Sequence, residues 1–306
     1  MSAQKYSGVF PIAPTTFDEN GNLDLESQLR AIDFMIDAQV NGICILANFS
    51  EQMALTDEER ELLTTKILDH VAGRVPVIVT TSHYGTGIAA ARSRRAQEAG
   101  AAMVMLMPPY HGATMRADEA GNFEFFRAIA DAIDIPIMIQ DAPISGVQLS
   151  PAFLARLAIE IEQVQYLKVE MPGAASKLRQ LIRLAGSAIS GPFDGEESIT
   201  LIPDLDAGAT GTMPSAMIPE ILRRVVDFYL AGQRDAAVEL YERYLPLINF
   251  ENRQCGLRAT KVLMKEGGII RSDVTRHPTP PLAPPLRQGL IELAQKRDPL
   301  ILRWAR

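Results

Sequence analysis

Residues 164–170 read Val-Gln-Tyr-Leu-Lys-Val-Glu, which is the composition of a buried strand that nevertheless contains a lysine and a glutamate. Side chains at positions i and i+2 of a strand lie on the same face. Lys168 and Glu170 are therefore predicted to project side by side, while Leu167 and Val169 face the other way. A lysine in a dry environment has a lowered pKa and becomes a usable amine nucleophile. The less specific interpretation is an internal ion pair, or a strand end that is open to water.

The remaining lysines do not share this setting. They lie at the terminus or in stretches with helical periodicity, at positions 5, 66, 177, 261, 265 and 296. Only Lys168 interrupts an apolar strand, so it is the candidate nucleophile of the chain.

Seven further short apolar runs resemble this strand and alternate with helical patterns. The eight predicted strands lie at residues 8–17, 42–47, 76–81, 102–107, 136–140, 164–170, 188–191 and 209–213. None of them alternates polar and apolar residues, which indicates parallel strands buried on both faces. Eight strand–helix units in about 215 residues predict an α/β fold, a (β/α)8 TIM barrel. An open doubly wound sheet is the alternative, but no glycine-rich dinucleotide loop follows the first strand.

The strand signals stop near residue 219. Amphipathic helices are predicted at residues 221–230, 235–247, 257–266 and 286–296, with a proline-rich connector at 278–285. The predicted organisation is a catalytic barrel over residues 1–218 and a C-terminal helical extension over residues 219–306.

Composition and charge argue against several classes of protein. The chain has 306 residues, is 47% hydrophobic and carries a net charge of −7, which argues against nucleic acid or an anionic membrane as the main partner. No apolar run is long enough to span a bilayer and no signal peptide is evident, so a cytoplasmic location is expected. The two cysteines, Cys44 and Cys255, are far apart and predict no disulfide framework.

Polar residues follow several of the predicted strands, where a (β/α)8 barrel has its active site. Each one alone is typical of a loop cap, but they occur after successive strands. These rim residues are Thr15, Thr16, 48–51, 82–84, 110–111, 140–141, Ser190 and Gly191. His83 and His111 have no carboxylate at ligand spacing, so neither a metal nor a cofactor is predicted.

Four motifs together resemble the dihydrodipicolinate synthase and N-acetylneuraminate lyase family of Schiff-base (β/α)8 enzymes, nearly from end to end. They lie at residues 8–17, 47–51, 140–143 and 168–170. The resemblance implies that Lys168 is the Schiff-base lysine. It also implies that Asn48, Phe49 and Ser50 bind the carboxylate of a 2-keto acid, Phe49 through its backbone N–H alone. A homotetramer is expected, as is common in the family.

One departure from the family changes the expected reaction. Gln140 stands where the family's aldolases and synthases have a proton-relaying tyrosine, and an amide is no general acid or base near neutral pH. Glu170 is then the candidate base, and the implied reaction is loss of water from a small-molecule 2-keto-3-deoxy sugar acid. Gln140, Ser190 and Gly191 are expected to bind the substrate. His83 and Tyr110 are expected either to line the pocket or to pack at a subunit interface.

Three other functions remain open from the sequence. One is a retro-aldolase that cleaves C3–C4 of a 2-keto-3-deoxy sugar acid, which the absence of the tyrosine disfavours. Another is a non-catalytic paralogue that binds a keto acid, which the retained Lys168 and Glu170 disfavour. The last is a dehydratase for a six-carbon diacid, for which an arginine is expected, and the rim residues include none.

Overall fold

The computed structural model describes residues 5–112 and 115–305. Its strands follow the chain order predicted above, with one additional antiparallel pair of short strands. They are β1 (Gly8–Val9), β2 (Ile43–Ile45), β3 (Val77–Thr80), β4 (Met103–Leu106), β5 (Tyr110–His111), β6 (Met115–Arg116), β7 (Ile137–Asp141), β8 (Val164–Val169), β9 (Gly191–Asp194) and β10 (Gly211–Thr212).

The helices occupy the predicted intervals between these strands and continue to the C-terminus. They are α1 (Leu25–Asp37), α2 (Asp57–Val71), α3 (Thr86–Glu98), α4 (Glu119–Ala130), α5 (Pro151–Glu160), α6 (Ala174–Ala185), α7 (Leu201–Asp206), α8 (Pro219–Leu230), α9 (Arg234–Phe250), α10 (Arg258–Glu266) and α11 (Pro284–Gln295). The start of α2 shows why they form where they do. The Thr56 hydroxyl accepts the N–H of Glu59, and the Glu59 carboxylate accepts the N–H of Thr56, which is a capping box.

The described chain divides into two compact units. The first comprises residues 5–7, 77–196 and 200–213. It contains a parallel sheet in the order β3-β4-β7-β8-β9-β10, together with the antiparallel pair β5-β6. The strand residues are buried almost throughout, as their continuous apolar sequences predict.

Strand β8 is packed tightly below Lys168. Tyr166 is fully buried, and its hydroxyl accepts the backbone N–H of Tyr6 at 3.0 Å. Gly191 lies against the same ring, since a Cβ there would come within 3.3 Å of Tyr166 Cδ1 and 2.7 Å of Thr210 Oγ1. This layer leaves little freedom for the strand that carries Lys168.

The second unit comprises residues 8–76, 197–199 and 214–305. Within it, Ile12 bridges in parallel to both Cys44 and Ser215. Both cysteines are buried, and each carries a thiol rather than a disulfide. The fully buried Lys261 forms an ion pair with Glu51, and burial lowers the pKa of this lysine.

Two predicted elements shift in position. The seventh barrel strand was predicted at residues 188–191, but a 3-10 turn follows α6 and the strand begins at Gly191. The sequence of residues 196–205 has a helical pattern, but the helix begins only at Leu201, because Glu196, Glu197 and Ser198 all have left-handed backbone, with φ between 53° and 65°. The boundary at residues 218/219 stays a prediction. Within residues 5–112 and 115–305, no helix combines the length and apolarity that crossing a bilayer requires.

A buried carboxyl group lies in a π-helical turn, Glu251–Cys255, directly after α9. Glu251 is 2% exposed, and Thr260 is its hydrogen-bonding neighbour. Burial, and secondly the charge of Glu197, raises the pKa of Glu251 from 4.5 to about 8. Between these values the folded chain holds a proton that the unfolded chain releases, so stability falls as pH rises through this window.

Replacing Glu251 with Gln removes this titration. The loss of unfolding free energy between about pH 5 and about pH 8 should shrink by on the order of 1 kcal/mol or more, measured by urea denaturation. Glu124→Gln, on the exposed face of α4, is the matched control and should leave the slope unchanged. An unaltered pH slope in the Glu251→Gln variant would contradict the assignment.

Candidate active site

The register of three neighbouring strands divides the polar residues into two faces. Gln140 pairs with Lys168, and Lys168 pairs with Phe193, so these three side chains share one face of the sheet. Asp141 pairs with Val169, and Val169 pairs with Asp194, so these lie on the opposite face. In-register residues of parallel strands point the same way. The two faces therefore carry different groups of charges.

Lys168 and Glu170 are in contact, as the two-residue period predicts. The lysine Nζ forms an ion pair with Glu170 Oε1, and the two side chains are 3% and 14% exposed. Gln140 Nε2 donates to the other carboxylate oxygen, Oε2, at 3.1 Å. Both oxygens of Glu170 are thus engaged, one by a cation and one by an amide N–H. A proton can pass between Lys168 and Glu170 without any movement of the backbone.

Gln140 also presents an unused acceptor. Its side chain is 1% exposed, and within the described part of the chain Oε1 has no hydrogen-bond partner. A buried acceptor without a donor is costly, so native structures rarely retain one without a reason. The amide is oriented so that its N–H group donates to Glu170, while its oxygen has no donor among the described residues.

The opposite face carries an ion pair directed at the helices. Lys177 of α6 lies 2.5 Å from Asp141 Oδ2 and donates to the carbonyl of Leu149. Burial raises the pKa of Asp141, and Lys177 opposes this rise. Asp141, which the sequence placed among the rim residues, thus anchors a helix on the face opposite Lys168.

A further acid, Asp194, lies on this opposite face at the end of β9, next to Asp204 of α7. Asp194 is 1% exposed, and its Oδ2 accepts the hydroxyl of Thr212 at 2.5 Å. Burial, and secondly the neighbouring Asp204, raises the pKa of Asp194 well above its ordinary value. Thr200 donates to Asp204 at 2.7 Å. This raised pKa favours the protonated form of Asp194, on the face away from Lys168.

The predicted carboxylate-binding residues belong to the second unit. Ser50 Oγ donates to the carbonyl of Ala13 at 2.6 Å and accepts the N–H of Ala47. Asn48 Oδ1 accepts from Gln52, and Phe49 lies with them in a single 3-10 turn. Their role toward a substrate stays a prediction.

The other predicted substrate-binding residues are spread over the first unit. His83 Nδ1 accepts the N–H of Gly85, and Tyr110 is half-buried in β5, where burial raises its pKa. The backbone N–H of Ser190 donates to the carbonyl of Gln165, and Gly191 pairs with Tyr166, two residues below Lys168. Their roles likewise stay predictions. In the described ranges, no group of three His, Cys, Asp or Glu side chains is arranged to hold a metal ion.

The sequence did not indicate one contact of Glu170. A Cβ on Gly195 would lie 2.2 Å from Glu170 Cγ, so the glutamate side chain occupies the space that any other residue at 195 would fill. The sequence feature that corresponds to this contact is a glycine directly after β9. Its importance can be recognised only when the pairing of β8 with β9 is known.

Comparison with known proteins places the chain among enzymes of one family. Residues 5–296 match the model of the Dihydrodipicolinate synthetase family. The L-2-keto-3-deoxyarabonate dehydratase of Azospirillum brasilense is 60% identical over 304 residues, covering 99% of this chain and 98% of that protein. The 4-hydroxy-tetrahydrodipicolinate synthase of Methanothrix thermoacetophila is 31% identical over 246 residues, covering 79% and 81%.

Solved structures agree with the predicted fold. A dihydrodipicolinate synthase from Rhodopseudomonas palustris superposes with a TM-score of 0.86 at 29% identity, covering 95% of this chain and 97% of its own. One from Aquifex aeolicus gives 0.89 at 24% identity, covering 96% and 98%, which bears on the fold alone. The predicted (β/α)8 barrel with a C-terminal helical extension is confirmed.

The geometry predicts which buried lysine of the first unit is reactive. After incubation with pyruvate, as a simple 2-keto acid, and borohydride, peptide mass mapping should place the adduct on Lys168. Lys177→Arg, which keeps a cation beside Asp141, should retain the adduct, whereas Lys168→Arg should lose it. An adduct on Lys177 would overturn the assignment.

Proposed function

Because the chain belongs to the Dihydrodipicolinate synthetase family, we propose that it is a Schiff-base-forming hydro-lyase that dehydrates L-2-keto-3-deoxyarabonate to 2,5-dioxopentanoate. The observation that carries the proposal is the buried pair of Lys168 and Glu170, with Gln140 where an aldolase would need a proton-relaying group. The substrate is supported by the extensive identity to the Azospirillum brasilense dehydratase.

In the first step Lys168 transfers a proton to Glu170 and attacks C2 of the substrate as a free amine. The C2 oxygen leaves as water and an iminium ion forms between C2 and Nζ. Since Glu170 already contacts Nζ, this proton transfer needs no rearrangement of the strand. The iminium draws electrons away from C3 and makes its hydrogens acidic.

In the second step Glu170, again as the carboxylate, removes a proton from C3 and an enamine forms. The N–H of Gln140 steadies Oε2 during this transfer. The base and the nucleophile arise from one strand two residues apart, so the carboxylate is held next to the carbon atoms adjacent to C2.

In the third step the enamine expels the C4 hydroxyl, which takes up a proton and leaves as water. The free Oε1 of Gln140 is suited to accept a hydrogen bond from a hydroxyl of the substrate. Loss of a C5 proton and reprotonation at C3 then give an enol at C4–C5, which becomes the aldehyde. Hydrolysis of the iminium frees Lys168 and releases the keto-aldehyde.

The sequence also raised expectations about the location, assembly and cofactor requirement of the protein, and this activity is compatible with them. We propose a homotetrameric cytoplasmic enzyme that takes part in L-arabinose degradation and requires no cofactor. Its partner is the small-molecule keto acid.

Glu170→Gln should reduce kcat by about 10²–10⁴-fold, since a positioned acid/base contributes about that factor. Schiff-base formation should survive in part, because Lys168 remains. The measurement is release of 2,5-dioxopentanoate from L-2-keto-3-deoxyarabonate, detected as its hydrazone by mass spectrometry, beside borohydride trapping.

Lys168→Ala should abolish both turnover and trapping. Near wild-type dehydration by this variant would exclude the scheme. Formation of pyruvate and glycolaldehyde by the wild-type protein would instead identify cleavage of C3–C4, which is the aldolase reaction.

A further inference from the structure

The side chain of Glu170 rests directly over the Cα atom of Gly195. The position of a Cβ at residue 195 lies 2.2 Å from Glu170 Cγ and 3.2 Å from both Cδ and Oε1. Real Cβ atoms do not approach other carbons so closely. The glutamate side chain would have to move from its base, since Cγ is close to the backbone rather than at the flexible tip.

The register explains this proximity. Val169 is paired with Asp194, so the next residues of the two chains, Glu170 and Gly195, lie level with one another just beyond the strand ends. Glu170 also remains in line with β7, since its N–H donates to the carbonyl of Asp141 at 3.0 Å. Glu170 is therefore fixed by backbone pairing on one side and faces Gly195 on the other.

Glycine is needed at position 195 because there is no room for a side chain, and not because the backbone conformation requires glycine. Gly195 does not have a left-handed φ; the run of three residues that do begins at the next position, Glu196. An alanine can adopt the same backbone conformation at position 195, and the three heavy atoms nearest to the added methyl group all belong to Glu170.

We propose that Gly195 is a positioning residue for the reaction: the open space over its Cα fixes the Glu170 side chain so that its carboxylate reaches both Lys168 and Gln140. This inference rests on the proposed function, in which Glu170 moves the C3 proton. A side chain at residue 195 displaces Cγ, and with it both carboxylate oxygens leave their partners. Lys168 keeps its place on the strand and its capacity to form an iminium ion.

The direct test is Gly195→Ala. We expect kcat to fall about 10²-fold, toward the value of Glu170→Gln, while borohydride trapping on Lys168 survives to the same extent as in Glu170→Gln. The ionisation in the pH profile of kcat that Glu170→Gln removes should be shifted by Gly195→Ala. A purely structural role would not move this ionisation.

A matched control is Gly87→Ala. Gly87 is exposed within α3, its φ is not left-handed, and a Cβ there meets no atom within 4 Å. This variant should keep both kcat and trapping at wild-type levels.

The double variant Gly195→Ala with Glu170→Ala separates the clash from other effects. Glu170→Ala removes Cγ, so adding Gly195→Ala should cause little further loss of kcat and little further change in Tm. If Gly195→Ala alone fails to fold, the double variant should fold, because the atom that clashes is gone. If Gly195→Ala is as damaging in the Glu170→Ala background as in wild type, the role of Gly195 is overturned.

Two outcomes distinguish this inference from the proposed function. If Glu170→Gln turns over like wild type, the proposed function loses its base and Gly195 has nothing to position. If Glu170→Gln is crippled but Gly195→Ala is not, the proposed function stands and the role of Gly195 alone is wrong.

Discussion

Lys168 and Glu170 must be buried together, because neither charge could be removed from water alone at acceptable cost. An isolated buried ion is strongly disfavoured, and pairing with good geometry offsets much of that penalty. The two-residue period of the extended chain supplies the pairing at the end of β8, since Glu170 directly follows the strand. The groups around the pair then follow from it. Gln140 satisfies the second carboxylate oxygen, and Gly195 leaves room for the methylene groups.

The same constraint accounts for the other buried lysines. Lys177 is held by Asp141, and Lys261 by Glu51. What differs is the surroundings of each pair. Lys177 also donates to the carbonyl of Leu149. In the other pair, Lys261 donates to the carbonyl of Val274, and Glu51 accepts the backbone N–H of Arg276. The pair of Lys168 lies instead beside the oxygen of Gln140, which has no donor among the described residues. In the proposed function this oxygen is the acceptor for a hydroxyl of the substrate, and neither of the other two pairs is assigned such a role.

Much of the fold could be predicted because it depends on local patterns. Eight apolar runs with helices between them specify the barrel, and the strand period specifies the contact of Lys168 with Glu170. Features that depend on register could not be predicted. The sequence does not show which residue of β9 lies level with Glu170, so the importance of Gly195 was not evident. The orientation of Asp141 away from Lys168 has the same origin, since a shift of one residue in a strand reverses the face.

Other features escaped prediction because local preference argues against them. Residues 196–198 are three successive non-glycine residues with left-handed backbone, a conformation that is unfavourable for each of them. Their residue types do not predict this conformation. They delay α7 by about one turn compared with its helical pattern. Lys177 was similarly hidden, because a lysine with helical periodicity usually lies in solvent, whereas this one is 8% exposed.

The ion pair of Lys168 and Glu170 has a consequence for the net charge of its surroundings. A proton that moves from Nζ to the contacting carboxylate oxygen leaves the summed charge of the two side chains at zero, because an ammonium and a carboxylate become an amine and a carboxylic acid. The two side chains are only 3% and 14% exposed, so a step that left an unpaired charge there would be strongly disfavoured. The protein can thus exchange the ionic form of this pair for its neutral form without ever enclosing an isolated charge.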